Sequence, residues 1–367
     1  MDIKFFQETP LLSVSFIESL KKDKNFEYRP SLRGLTKTGK SLNLGFSTYA
    51  LKIKFMSGVW NEFSDDYKAD WTNYIKSYQK TSNNFPSNSF IDEALLTGYK
   101  NLSKVENLKY FVKSSLNLVT NKNFDSKNSA IVKAINAETK QAIATLYEVE
   151  TVHSLKLQNS YSKKGEVTKY LQSLNWDKPW SAGAQFASLC VYSTTNDFGI
   201  ENELTEFILQ KLNENSGSYH NKNVSDEREI INGAMKVISG LDWLNIEIHK
   251  PKELIDFCLK NVPITEGCDI VDFVYVLYKC SKQVDYKKKQ INTLFLDLLN
   301  QIKKLYVVSD KGFSYFTGMS QTHYYGVPIT VGLNKADIHG TTLCLWAILM
   351  ILDNLEEMES KFKIIKP

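Results

Sequence analysis

The chain has 367 residues, 45 Lys and Arg against 41 Asp and Glu, and is 43% apolar and 12% aromatic. That apolar share can fill a large core and excludes a disordered chain. Charges of both signs are spread along the length, which excludes the clustered basic face of a nucleic-acid binder. KKDK (21–24) and KKK (287–289) are the densest runs and read as exposed helix ends. The start, MDIKFFQETPLL, has an acid at position 2 and no long apolar run, so no secretory signal is expected. LCLWAILMIL (343–352), the longest apolar stretch, is too short for a transmembrane segment. Cys190, Cys258, Cys268, Cys280 and Cys344 form no CxxC pair and read as reduced, buried thiols, so a cytoplasmic location is expected.

A first helix is expected over TPLLSVSFIESLKK, with Thr9 and Pro10 at its start. RPSLRGLTKTGKSLNLG (29–45) reads as a flexible loop. Its GLTKTGKS has the literal spacing of a phosphate loop, but Pro30 leaves no strand before it. FSTYALKIKFMSGVW (46–60) is an apolar helix ending near Gly58. Further helices are expected near 71–80, 90–100, 103–119, 128–150, 163–174, 182–193, 202–213, 226–244, 251–260, 268–282, 287–306 and 337–355. Ser225 is placed to cap the helix at 226, and Pro251 opens the next. YVVS (306–309) and FSYF (313–316) make a small hairpin at most.

Three stretches, 72–90, 205–223 and 295–318, each run an amphipathic helix into a polar turn and an aromatic cluster. A second, more apolar helix follows each, at 138–150, 226–244 and 336–355. Such units cannot bury their apolar faces alone and stack on one another. Their unequal spacing points to a closed ring with insertions. The expected fold is all-α: an α/α toroid over 61–367, with helices and a Gly-rich loop of an irregular N-terminal extension (1–60) packed on it.

SDKGFSYFTG followed by ADIHGTTLCLWAILMILDNL resembles the repeat of the terpenoid-cyclase and protein-prenyltransferase superfamily, and NSGSY (215–219) followed by INGAMKVISGLDWL resembles a second copy. The resemblance implies outer helices wrapping inner ones whose N-terminal ends rim a cleft. Its signature sites are absent: there is no DxDD, and DDYKAD (65–70) misses the DDxxD spacing by one. Val274 stands where that family's zinc thiolate would be, and Gly340 at its histidine position, one residue after His339. No metal and no cofactor are therefore expected. Cys268, Asp269, Asp272 and His339 could bind zinc only in a different geometry.

Asp337 and His339 form the most concentrated polar group at an inner-helix start. They read as a general acid or base with its partner, or as an N-cap with a histidine under the aromatic turn. Asp226 and Glu227 are the second catalytic candidates, against a plain dipole-compensating first turn. Trp180, Asp177, Tyr324, Tyr325, His220 and Asp272 are the candidate substrate contacts, with the tyrosines as a wall over the cleft. Small residues at 181–183 suit either a ligand or a close helix crossing. The first functional expectation is a cyclase- or prenyltransferase-like enzyme acting on a bulky, partly apolar isoprenoid. The alternatives are a carbohydrate-active toroid enzyme (glycoside hydrolase or polysaccharide lyase type) on a glycan, and a non-catalytic scaffold.

Overall fold

The computed structural model describes residues 3–82, 85–119, 126–158, 165–262 and 266–367, with side chains for all but 113–119. Among these, fifteen α-helices occur in chain order. They are α1 (Ile3–Ser19), α2 (Lys37–Ser41), α3 (Leu44–Met56), α4 (Asp65–Lys76), α5 (Glu93–Lys100), α6 (Lys104–Val119), α7 (Lys127–Glu148) and α8 (Glu166–Ser173). There follow α9 (Pro179–Asn196), α10 (Glu201–Leu209), α11 (Glu227–Trp243), α12 (Pro251–Lys260), α13 (Cys268–Gln283), α14 (Lys288–Lys303) and α15 (Ile338–Asn354). The helix expected at 163–174 is seen from Glu166, its first residues lying outside the described ones.

Helices α3, α7, α9, α11, α13 and α15 each pack on the next, and α15 returns to α3, which closes a ring. Outside it α1 covers α3 and α15, α4 covers α3, α10 covers α9, α12 covers α13, and α14 covers α13 and α15. The protein is an α/α toroid. Residues 1–60 supply α3, the inner helix between α7 and α15.

The two layers differ in sequence for a physical reason. An outer helix has one face in water. On α14 the buried residues are Ile291, Phe295, Leu298, Leu299 and Ile302, one stripe at helical spacing. An inner helix is covered all round, so α3 is buried at every residue from Leu44 to Lys54 and α15 is apolar almost throughout. Between α9 and α11 small residues let the backbones meet: a Cβ on Gly233 would lie 2.6 Å from that of Pro179, and one on Gly240 2.9 Å from Cys190 Sγ. In the small run at 181–183, Gly183 serves this crossing, since a Cβ there would lie 3.2 Å from the Gly233 carbonyl oxygen.

The aromatic turns share one construction. Antiparallel pairing joins Lys21 to Tyr28, Gln79 to Phe90, Leu212 to Tyr219 and Tyr306 to Phe313. The second partner is each time a fully buried aromatic. The last of these pairs joins strands Tyr306–Val307 and Gly312–Phe313, the small hairpin expected there. The turn near 80 contains residues 83 and 84, which lie outside the described ones. In two of the four, an inner-helix threonine brackets the aromatic backbone. Thr139 Oγ1 accepts from Phe90 N (3.1 Å) and donates to its carbonyl (3.4 Å). Thr341 does the same at Phe313 (3.0 and 3.2 Å). The unit at 21–28 was not recognised as a repeat from sequence.

Several boundaries differ from expectation. Pro10 lies inside α1, which begins at Ile3. The carbonyl of Phe6, deprived of its helical donor by Pro10, accepts from Thr9 Oγ1 at 2.6 Å. Helix α4 begins at Asp65 behind a Ser64 cap, and Asp226 rather than Ser225 caps α11. The segment 29–45 holds the short α2, where Thr36 caps Gly39 N and a Cβ on Gly39 would stand 2.0 Å from the Ile329 carbonyl oxygen. That glycine is fixed by packing. Among the described residues no helix is long and apolar enough to cross a membrane.

Candidate functional site

At one end of the ring the inner-helix starts are laced together. Lys178 and Glu229 link α9 to α11 at 3.9 Å. Arg228 Nε meets Asp269 Oδ2 at 2.7 Å and Asn232 Nδ2 donates to Asp269 Oδ1 at 2.7 Å, linking α11 to α13. The segment between the Tyr306–Phe313 turn and α15 arches over this end. Its Tyr315 hydroxyl donates to Cys268 Sγ at 3.0 Å. Tyr324 donates to Glu138 Oε1 at 3.1 Å, and Tyr325 to Gln141 Oε1 at 3.4 Å. The Tyr324 hydroxyl fills the space beside Gly45, where a Cβ would lie 2.0 Å away.

Under this arch His339 stacks on Tyr49, ring centroids 4.7 Å apart and planes 17° off parallel, and leans on Tyr315 at 5.2 Å. Its Nδ1 is buried with no hydrogen-bond partner. Burial, reinforced by the charges of Lys236 and Lys52, pushes the imidazole down to about 3. It is a neutral ring in a wall of phenols.

Asp337, two residues earlier, has a different role. It is 1% exposed. Oδ1 accepts from Gly340 N at 2.7 Å, and Oδ2 from Tyr315 N at 2.7 Å and Gln321 N at 3.0 Å. Burial raises the carboxyl to about 6 in spite of these donors. Asp337 is the helix cap and the clasp of the arch, and every one of its oxygens is spent on backbone.

Three lysines stand on three inner helices, and their charges act on one another or on His339. Lys236 of α11 meets Asp272 of α13 at 3.4 Å, and the second oxygen of Asp272 is buried without a partner. Burial, opposed by Lys236, lifts Asp272 to about 6. Lys140 of α7 is pushed down to about 7 by burial, then by the charges of Lys236 and Lys52. Lys52 of α3 is 7% exposed and is pushed down to about 8 by burial. No hydrogen bond or ion pair with a described residue engages either ammonium. Lys140, Gln141, Lys236, Cys268, Tyr315, Tyr325 and His339 are only half-buried although they sit among inner helices and the arch. They are the partly accessible groups of this part of the ring.

Of the residues singled out from sequence, the structure gathers His339, Asp272 and Tyr325 here, with Tyr324 packed behind. The others are placed as follows. Asp226 and Glu227 are exposed, and Asp226 accepts from Arg228 N and Glu229 N as the α11 cap. His220 is buried between Ser216 Oγ (3.0 Å) and the Asn221 carbonyl (2.8 Å), both in its own loop. Asp177 is exposed and accepts from Asn221 Nδ2 at 2.9 Å. Trp180 is half-buried at the α9 start, its backbone N–H 3.4 Å from Glu229. Sequence reasoning passed over Tyr49, Lys52, Lys140, Lys236 and Tyr315. Lys52 carried a readable signal: a lysine in a helix with no polar face must be paired or turned to an internal cavity.

Among the described residues no group of three or more His, Cys, Asp and Glu side chains is gathered as a metal site would require. The chemistry on offer is a neutral imidazole, phenols that keep their protons, three buried carboxyl groups already engaged (Glu138, Asp272 and Asp337) and the amines of three lysines.

No family model and no curated protein matches the chain. Among solved structures it is similar to a polysaccharide lyase, at 11% identity and TM-score 0.47 over 98% of this chain and 100% of that one. It is also similar to a glycosyl hydrolase family 88 protein from Bacteroides vulgatus, at 12% identity and TM-score 0.47 over 95% of this chain and 99% of that one.

Proposed function

We propose that the protein is a carbohydrate-active enzyme of the lyase type, which takes an acidic saccharide under the arch and cleaves it by elimination. The observation that carries this is the neutral imidazole of His339 held between Tyr49 and Tyr315 and beside the ammonium of Lys236. Breaking a uronate by elimination needs a cation on the carboxylate, a base for the proton on the adjacent carbon, and an acid for the departing glycosidic oxygen. Lys236, which also contacts Asp272 at 3.4 Å, supplies the cation. His339 takes the proton, the electron pair becomes a carbon–carbon double bond, and the Tyr325 phenol protonates the leaving oxygen. Burial holds the Tyr325 proton in place by raising its pKa, and its hydrogen bond to Gln141 is long at 3.4 Å.

The same geometry makes the base responsive to substrate. Lys236 is one of the charges depressing His339. A carboxylate bound to Lys236 cancels that repulsion and raises imidazole basicity when it is needed. Hydrolysis draws less support: it needs two carboxylates facing each other roughly 5–10 Å apart. Asp272 is held by Lys236, Asp269 by Arg228 and Asn232, and Glu138 by Tyr324. An isoprenoid cyclase finds no support either, because the three lysines of the inner helices repel a carbocation.

The test is incubation with a panel of soluble polyuronates, following reducing ends together with the ultraviolet absorbance of an unsaturated uronyl product. Both signals should rise together, and His339→Ala should lower the rate by about 100-fold or more, the range for losing a general base. Reducing ends without absorbance would replace elimination by hydrolysis, and neither signal on any polyuronate would overturn the reading.

A further inference from the structure

Tyr325 stands in a backbone conformation that its side chain disfavours. Strands His323–Tyr324 and Val327–Pro328 pair antiparallel with Tyr324 opposite Val327, so Tyr325 and Gly326 make the turn between them. A two-residue hairpin turn with both φ positive is the usual place for Asn-Gly or Asp-Gly. Gly326, at φ 85°, fits it; Tyr325, at φ 42°, is a bulky residue in the left-handed region. Such strain persists only where the surroundings over-determine it, and it gathers at functional positions. Here the surroundings include α5, outside the ring. A Cβ on Gly98 would lie 2.8 Å from Thr38 Cγ2 and 3.1 Å from Val327 Cγ1, so the bare glycine lets α5 close on the hairpin. The next residue, Tyr99, is 2% exposed, and its hydroxyl donates to the Tyr325 carbonyl. That hydroxyl would also meet a Cβ on Gly326 at 3.0 Å, so it is packed against both residues of the turn.

We propose that Tyr99 is a positioning residue: through the Tyr325 carbonyl it holds the left-handed turn that keeps the Tyr325 hydroxyl beside Gln141. The role of that hydroxyl as the acid rests on the proposed function; the clasp itself does not. With φ negative at 325 the Cα–Cβ bond points in another direction and carries the ring off with it. The hydroxyl then leaves Gln141 Oε1, 3.4 Å away in the held turn, and the rings of Tyr324 and Tyr325, 4.4 Å apart, separate. A proton donor misplaced by about 1 Å can cost about 100-fold in rate. Asn or Gly at 325 would make an easier turn but would bring no phenol, which is the physical reason for a tyrosine in this conformation.

Tyr99→Phe keeps the ring and removes only the hydroxyl, so the full chain should still fold. Its crystal structure should show residue 325 out of the left-handed region, with the Tyr325 hydroxyl displaced by about 1 Å or more. Cleavage of a polyuronate should fall by about 10- to 100-fold in kcat, with KM within about threefold of the parent. The discriminating substrate is a uronide whose departing group is a nitrophenolate, which leaves without needing a proton. On it Tyr99→Phe and Tyr325→Phe should both act within about threefold of the parent, because the acid is no longer required. Gly326→Ala presses a methyl group on the Tyr99 hydroxyl from the other side and should show the same dependence on the departing group, which keeps the test open should Tyr99→Phe fold poorly. A Tyr99→Phe defect of equal size on both substrates would mean a general loss of packing and overturn the proposal, as would a variant structure with residue 325 and its hydroxyl unmoved. If the parent cleaves neither substrate while Tyr99→Phe displaces Tyr325, the clasp stands and the elimination reading falls.

Discussion

Asp337 and His339 stand two positions apart at one helix start and do opposite work. The aspartate is consumed by backbone donors from Tyr315, Gln321 and Gly340. The imidazole is left with a bare nitrogen among aromatic rings. Asp337→Asn turns an amide N–H₂ toward N–H donors and leaves at least one of them unpaired. It should destabilise the fold by about 2 kcal/mol or more in denaturant titration, while the activity per folded molecule stays within a few-fold. His339→Ala should do the reverse. His339 also titrates in a defined direction. Its pKa is lowered to about 3 in the folded chain against the ordinary 6.5. The unfolded chain therefore binds the extra proton between those values: the contribution to stability is whole above pH 6.5 and is lost as pH falls toward 3. Stability measured from pH 7 to pH 4 should fall less steeply in His339→Phe, by up to about 1.4 kcal/mol per pH unit. Identical slopes would mean that the imidazole is not held neutral.

At the scale of elements, the recurring unit is an outer helix, a turn closed on a buried aromatic, and an inner helix. The threonines at 139 and 341 tie turn to inner helix by taking both backbone groups of Phe90 and Phe313. Thr139→Val and Thr341→Val keep the shape and orphan a buried N–H, so each should cost about 1–3 kcal/mol. Equal stability in the valine variants would show that the clasp is incidental. Helices and their order were legible because amphipathic stripes such as that of α14 and first-turn residues such as Pro251 are local, whereas the Ser64 cap of α4 was passed over. The ring was legible through the aromatic turns at 80, 213 and 310, but the turn at 21–28 was missed because an insertion carrying α2 separates it from its inner helix. The residues of the candidate site were named only in part. His339 and Asp272 could be named as polar residues at helix starts. Lys140 and Lys236 look like any solvated lysine until ring closure decides which face of α7 and α11 points inward. Asp226 and Glu227 stand exposed at the α11 start, where acids are drawn for the dipole whether or not a cleft is near.

Across the whole molecule the ring has two unlike ends. At one the arch lies with the half-buried His339, Tyr315 and Tyr325. At the other, segment 356–367 closes the floor. Phe362 and Ile365 are buried, Trp243 Nε1 donates to the Pro367 carbonyl at 2.7 Å, and Lys363 N bonds to the Met56 carbonyl at 3.0 Å. A plugged floor leaves the arch as the approach to the axis. Phe362→Ala and Ile365→Ala, which empty the plug, should cost about 3–5 and 2–5 kcal/mol respectively in chemical denaturation; losses below about 1 kcal/mol would mean that the segment only rests on the ring. The central claim is that the axis beneath the arch is where an acidic saccharide sits. A crystal structure of His339→Ala with an oligouronide tests it most directly. The sugar should lie against Tyr49 and Tyr315, with its carboxylate on Lys236 and its glycosidic oxygen near the Tyr325 hydroxyl. An oligouronide bound only on the outer surface, with the axis empty, would contradict it.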